Sequence, residues 1–334
     1  MGTRFSRAQW RAGAGVTATL LAGALICPPS HAGITPSNKC VAVNRREKRT
    51  LESTCYAIED NGITRTFRLY VPQGRKDPLP LVLVLHGGGG GGGNMEWLTR
   101  QGFNRIADRD GAIIVYPDGV SHRWNDGRDD GGRAPDQTTD DLGFLRALPR
   151  QISTTFPVDP RRVYAAGISN GGLMSYRLAC DAADVFAAVA AVAANMSETL
   201  APRCAPSRPV SVAIFNGTAD PIMPWNGGPI KVLWSTRGTV LSTQDTAKAW
   251  LGLDRCGTAL QQGELLQGAD DGTTVVPWTT QCAGKTEIAL YEIRAGGHTW
   301  PQGEPYLGEW IVGKVSRQID ANQTIWQFFR RHSL

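Results

Sequence analysis

The chain is short of histidine, has no Cys-x-x-Cys pair, and carries little excess charge of either sign. Each shortage closes a class of function. Without paired cysteines at close spacing, a zinc-type thiolate site has no framework, and the reading is of a protein without a metal or cofactor. The formal charge of +5 falls to +2 once the three arginines of the first 32 residues are set aside, since that stretch holds no acid. A nearly neutral chain gives no case for nucleic acid or an anionic membrane as partner. No internal repeat and no Pro/Ser-rich linker interrupts the sequence, so residues 33–334 are expected to form one domain.

Residues 1–32 are of another kind. Arg4, Arg7 and Arg11 precede an apolar Ala/Leu/Gly/Val run from about Gly13 to Cys27, and Ser30-His31-Ala32 closes it with small residues at two of three positions. This is the pattern of an export signal cut after Ala32. The apolar run is short against the ~20 residues that a span requires, so no membrane span is expected in the mature chain. Removing the signal also removes Cys27 and leaves six cysteines: Cys40, Cys55, Cys180, Cys204, Cys256 and Cys282. An even count in an exported protein, secreted or periplasmic, reads as three disulfides. Six cysteines allow 15 connectivities. Nearest-neighbour pairing is the simplest of them.

What is present is a strand-helix alternation. The alternating run Thr66–Val71 predicts an antiparallel edge strand. Leu81–Leu85 and Ala112–Tyr116, apolar on both faces, predict buried parallel strands. Further strands are expected at 162–166, 186–192, 210–215 and 287–293. Helices are expected at 96–107, 139–156 (with Pro149 kinking it), 171–180, 243–253 and 319–331. A Gly/Gln/Thr-rich stretch, 257–280, predicts no element. The order implies an α/β fold with a doubly wound, mostly parallel sheet.

Residues 167–171, Gly-Ile-Ser-Asn-Gly, fall at a strand-to-helix joint. Gly-x-Ser-x-Gly there is a nucleophile elbow, in which the turn is too tight for side chains two residues either side of the serine. Ser169 is the expected nucleophile. Serine needs a base held by a carboxylate. Of the four histidines left after the signal, His298 follows the last strand, where loops beyond C-terminal strand ends gather on one sheet edge. Asp220 follows the 210–215 strand. The chain order Ser, Asp, His is that of the α/β-hydrolases. Asp254, Asp270 and Asp271 are the fallback acids. His86 is followed by seven glycines, Gly87–Gly93, and a His-Gly-Gly-Gly segment after a strand supplies an oxyanion N–H, assigned to Gly88, beside that of Asn170. No Lys-Ser/Thr follows the run, which excludes a phosphate loop. His86 is expected to pack within its own loop, and His122 and His332 to lie on the surface. The acid-rich loop Asn125–Asp141 reads as a solvated rim rather than a calcium site, because Arg123, Arg128 and Arg133 accompany the acids.

Taken together, Leu83-Val84-Leu85-His86-Gly87-Gly88, Asp140–Leu145, Asp159–Tyr164, Gly167–Gly172, Gly217–Pro221 and Gly297-His298-Thr299-Trp300-Pro301 resemble the secreted polyhydroxybutyrate depolymerases and the related feruloyl and acetylxylan esterases. The resemblance spans most of residues 60–330. It implies an α/β-hydrolase fold, a serine esterase acting through an acyl-enzyme, and Ser169, His298 and Asp220 as its triad. The polymer-degrading members carry a linker and a separate polymer-binding domain, which this sequence lacks, so soluble or amorphous esters are the expected substrates. Trp97, Trp124, Trp225 and Trp300 fall in loops after strand ends and are expected to wall the acyl pocket.

Overall fold

Along Leu81–Leu85 successive side chains alternate between the two faces of an extended strand, leucines to one side and valines to the other. That alternation feeds two cores, one on each face of a single large sheet. The structure is a computed structural model that describes residues 33–129, 139–257 and 259–334. The export-signal reading at residues 1–32 and the middle of the acid-rich loop, residues 130–138, lie outside the described residues.

The strands run in chain order as β1 (Thr35–Pro36), β2 (Thr54–Asp60), β3 (Ile63–Tyr70), β4 (Leu79–Leu85) and β5 (Ile113–Pro117). They continue as β6 (Val158–Ile168), β7 (Ala188–Val192), β8 (Ser211–Gly217) and a separate hairpin, β9 (Gly228–Val232) with β10 (Ser235–Val240). Then come β11 (Gln261–Gln262), β12 (Thr274–Gln281) and β13 (Glu287–Arg294). The helices are α1 (Arg45–Lys48), α2 (Gly92–Leu98), α3 (Gly102–Ile106), α4 (Asp141–Ser153), α5 (Asn170–Asp181), α6 (Thr243–Leu253), α7 (Glu309–Val312) and α8 (Ala321–Phe329).

Eleven strands form the main sheet in the order β1-β2-β3-β5-β4-β6-β7-β8-β13-β12-β11. The six central strands, β5 to β13 in that order, are mutually parallel. The outer strands are antiparallel. Leu81, Leu83 and Leu85 pack with Phe144, Met174 and Trp250, from α4, α5 and α6. Val82 and Val84 pack with Met95, Phe103 and Phe328, from α2, α3 and α8. All five strand side chains are fully buried, each contributing about 1.5–3 kcal/mol. The sheet is therefore doubly wound.

Four local expectations are corrected. The helix expected over 96–107 breaks at Arg100 and Gln101, both left-handed at φ 56° and 53°, and becomes α2, α3 and a π turn. Apolar periodicity continues across that break, which is why it gives no warning. The 257–280 stretch contains β11 and β12, and β12 pairs with β13 from Thr274↔Arg294 to Gln281↔Glu287. These strands lie toward the sheet's rim, where a strand needs less apolar surface. The run at 66–71 is part of β3, but β1 and β2 pair outside it, so it is not the edge. His332, expected at the surface, is buried at 8% exposure, edge-on to the Phe328 ring and 3.5 Å from Glu287.

The cysteines are joined as Cys40–Cys55, Cys180–Cys204 and Cys256–Cys282. Among the described residues no helix is long and apolar enough to cross a membrane.

Candidate active site

Four chain segments that leave the C-terminal ends of parallel strands converge here: after β4, β6, β8 and β13. Ser169 is the first residue past β6 and holds φ 55°, ψ −120°, a conformation that costs a non-glycine residue of order 1–3 kcal/mol. Two backbone bonds hold it there, Ser169 N–H to Val192 O and Leu173 N–H to Ser169 O. A Cβ on Gly167 would lie 2.3 Å from Gly171 O, and one on Gly171 would lie 2.4 Å from Leu85 O. The glycines are needed because strand, turn and helix touch backbone to backbone.

Asp220 and His298 reach each other from β8 and β13. His298 Nδ1 lies 2.7 Å from Asp220 Oδ2, with both side chains nearly sealed at 3% and 1% exposure. The other carboxylate oxygen, Oδ1, accepts from Ile222 N–H and Met223 N–H. The loops meet through Gly217, where a Cβ would stand 2.2 Å from Gly296 O. Tyr306 Oη–H donates to His298 O and fixes the histidine backbone from the far side.

The fallback acids are engaged elsewhere or offer no contact. Asp271 holds Thr273 and Arg317 N–H. Asp254 is fully buried with its Oδ1 on Val210 N–H, and burial pushes its carboxyl up to about 6. A raised folded-state value means that the native protein binds the proton more tightly than the unfolded chain. This group therefore favours folding at low pH and loses that advantage as pH rises from about 4 through about 6. Asp254→Asn is expected to be more stable than wild type at pH 8 and to have a flatter stability profile between pH 4 and 7. Urea unfolding at each pH measures it, and parallel profiles would refute the raised carboxyl.

Opposite the elbow, the glycine run is fixed by His86. Burial pulls its imidazole down to about 4, so it is neutral at ordinary pH. Gly119 N–H donates to Nε2, which leaves the ring proton on Nδ1, and Nδ1 donates to Gly87 O at 2.7 Å. In a planar trans peptide the N–H opposes the carbonyl, so Gly88 N–H points away from His86. Gly87 and Gly88 lie against the elbow: added Cβ atoms would be 3.6 Å from Ser169 Cβ and 3.9 Å from Asn170 Cβ. Gly89 and Gly90 N–H groups are taken up by His122 O and Gly87 O. Those of Gly88 and Asn170 carry no bond to any described residue.

Sequence reasoning missed the supports of this half of the site. The Asn170 amide clasps Trp124, donating to its carbonyl and accepting from its N–H, and also donates to Asp126. Asp118 takes Gly92 N–H on one oxygen and Val41 N–H and Thr66 Oγ–H on the other. Behind it a buried Arg65–Asp141 pair at 2.6 Å anchors Asn125 N–H. The signal for Asp118 was present, an acid directly past the buried strand β5. Asp126 and Asp141 make these internal bonds and serve as struts, whereas Asp129 and Asp140 are exposed. His122 is exposed.

The four tryptophans separate. Trp225 is half-buried in the loop that follows Asp220. Trp124 is buried and donates to His86 O, a brace beneath the site. Trp97, also expected to wall the acyl pocket, is half-buried at the end of α2 and lines a cavity whose walls include none of Ser169, Asp220 and His298, so that expectation is corrected. Trp300, expected to wall the acyl pocket, is 1% exposed, edge-on to Phe103 with its Nε1–H on Asn322 Oδ1. A sealed indole has no face to offer an acyl group, and that expectation is withdrawn. Trp300→Ala is instead expected to cost about 3–5 kcal/mol of stability through the cavity it leaves. Denaturant titration reads this loss, and a stable variant with altered acyl preference would restore the pocket assignment.

Comparison with known proteins gives a consistent result. The family described as "Putative esterase" matches residues 60–302. The chain is 32% identical to "Putative esterase NocK" of Nocardia uniformis over 90% of both chains. It is 30% identical to feruloyl esterase B of Piromyces equi over 66% of this chain and 40% of that protein. With a poly(3-hydroxybutyrate) depolymerase of Ralstonia pickettii it shares 29% over 70% of this chain and 49% of that one. The chain thus spans less than half the length of these last two relatives. Among solved structures, an acetyl xylan esterase from Aspergillus awamori superposes with a TM-score of 0.52 at 14% identity, over 83% of this chain and 99% of that one. This likeness shows the α/β-hydrolase fold.

Proposed function

The chain belongs to the esterase family, and from that premise we propose that Ser169, His298 and Asp220 are the nucleophile, base and orienting acid of its ester hydrolysis. The buried 2.7 Å contact between Asp220 and His298, at the same sheet edge as the strained Ser169, carries this reading. With Nδ1–H donated to Asp220, the free Nε2 of His298 takes the Ser169 proton as Oγ bonds to the ester carbonyl carbon. The carbonyl oxygen becomes an oxyanion held by Gly88 and Asn170 N–H, each such donor supplying about 3 kcal/mol. Collapse breaks the C–O bond, and His298 returns the proton to the departing alcohol. Water, deprotonated by the same nitrogen, then attacks the acyl carbon; the acyl C–O bond to Ser169 breaks, His298 returns the proton to Oγ, and the acid is released.

Three disulfides fit folding in an oxidising compartment, and we place the mature enzyme outside the cytoplasm after a cut near Ala32. The substrates proposed are hydroxyalkanoate esters and short oligomers, on the resemblance to polyhydroxybutyrate depolymerases. Similarity to a feruloyl esterase supports cinnamoyl esters as the second reading. A panel of hydroxybutyrate oligomers, methyl ferulate, acetylated xylan and a peptide amide separates these, with a phosphonate inhibitor as control. Highest kcat/KM is expected on the hydroxybutyrate oligomers. Turnover of the amide alone would make the protein a peptidase, and neither turnover nor labelling of Ser169 would make it a binding protein.

A further inference from the structure

A cavity of about 590 Å³ opens where α1, the α2–α3 turn, the chain beyond His298 and the start of α8 meet. Its walls include Arg46, Trp97, Arg100, Gln101, Arg105 and Gln302, none of which belongs to the proposed chemistry. We propose that it is a second binding site, for a small carboxylate with a flat, ring-shaped body.

The charge balance favours an anion. Both acids that line the cavity are already used: Asp320 Oδ1 caps α8 by accepting from Asn322 and Gln323 N–H, and Glu304 lies 3.5 Å from Arg100. The guanidinium donors are largely open. Arg105 spends one nitrogen on Arg100 O. The Arg46 side chain is exposed and has no partner among the described residues. Guanidinium groups bind carboxylates through paired, charge-assisted hydrogen bonds, which suits an acid entering between Arg46 and Arg105. Trp97 is half-buried and lines the cavity, and an indole in its wall suits a ligand with a planar body. A cavity of this size suits a small organic ligand rather than a bare ion.

The backbone shapes the same walls. Arg100 follows the C-cap of α2 in the left-handed position usual past a helix end, with Gln101 N–H on Glu96 O. This turn sets Arg100 and Gln101 along the cavity, and Gln302 lines it from the chain beyond His298. The cavity is also wired to the active-site edge. Asn322 lines it and accepts from Trp300 Nε1–H, and Glu304 N–H bonds to Leu98 O, so the segment leading away from His298 forms part of its wall.

The inference goes beyond ester hydrolysis and does not rest on it. It is tested by calorimetric titration of the mature protein after phosphonate treatment, which closes the catalytic pocket. The labelling step itself reports on Ser169 separately. Cinnamate is the probe, with cinnamamide as its uncharged isostere and acetate as a carboxylate without a ring. Saturable binding of cinnamate is expected, with both controls at least tenfold weaker. Arg46→Ala, a surface change that leaves the fold untouched, is expected to weaken cinnamate at least tenfold, and Arg105→Ala to do the same. The proposal is overturned if cinnamate does not saturate by millimolar concentration. It is equally overturned if either control binds as well, or if Arg46→Ala binds like wild type with an unchanged melting temperature.

Discussion

Ser169→Ala is expected to lower kcat/KM for p-nitrophenyl butyrate by at least about ten-thousandfold, the scale lost when a serine nucleophile is removed from a triad. Folding is expected to be unaffected. The elbow's backbone bonds to Val192 and Leu173 do not involve the hydroxyl, and alanine tolerates the φ of 55° no worse than serine does. The proposed oxyanion donors remain, so a small residual rate over water is expected to persist. Circular dichroism and urea unfolding identical to wild type, beside the collapsed rate, separate lost chemistry from lost structure. Activity within tenfold of wild type would remove Ser169 from its role.

Asp220→Asn is expected to cost about ten-thousandfold in kcat with little loss of stability, by control of the histidine tautomer. The direction follows from the hydrogen bonds. Oδ1 accepts from two backbone N–H groups, Ile222 and Met223, so the asparagine carbonyl must take that position. Its amide nitrogen then faces His298 Nδ1, where the carboxylate oxygen sat at 2.7 Å. An N–H donor there forces Nδ1 to accept and moves the ring proton to Nε2. The nitrogen that should receive the Ser169 proton is then already protonated. A variant with near-normal kcat would mean that another acid orients His298. Asp254 and Asp271 are the residues to examine next, and their present bonds to Val210, Thr273 and Arg317 argue against both.

The central strands and the meeting of Asp220 with His298 were legible because they rest on local rules. Leu81–Leu85 is apolar on both faces, the glycines at 167 and 171 mark a turn without room for Cβ atoms, and His298 and Asp220 each follow a buried strand. What was not legible depends on contacts distant in sequence. Nothing near Trp300 in the chain reveals Phe103 and Asn322 closing over it, so an aromatic residue two positions from the base read as a pocket wall. The side chain of Asn170 looks like a spectator of the elbow motif until Trp124 and Asp126, more than forty positions away, bond to it. The break at Arg100 and Gln101 escaped notice because two left-handed residues in succession have no sequence mark when neither is glycine. For the cysteines, the count of six leaves 15 arrangements open, and nearest-neighbour pairing picks the set that the fold shows.

The Asp118 carboxylate has a consequence for the order in which the molecule becomes competent. It joins Gly92 of the glycine run, 26 positions before it, to Val41, 77 positions before it and near the start of the described chain. Gly91 and Gly93 are small so that Val41 and Val43 can lie over them, where added Cβ atoms would come within 2.6 Å. The pairings of the parallel core, such as Leu81↔Val163, close loops as long, so this segment is expected to dock late for another reason: it packs on a glycine run that the core must first position. Cys40–Cys55 holds the segment beside β2 and shortens that search. During refolding with disulfides intact, tryptophan fluorescence and esterase activity are therefore expected to return together. With the bridge reduced, fluorescence is expected to return first and activity to lag, because the glycine run proposed to hold the oxyanion must wait for the segment around Val41 and Val43 to settle over it.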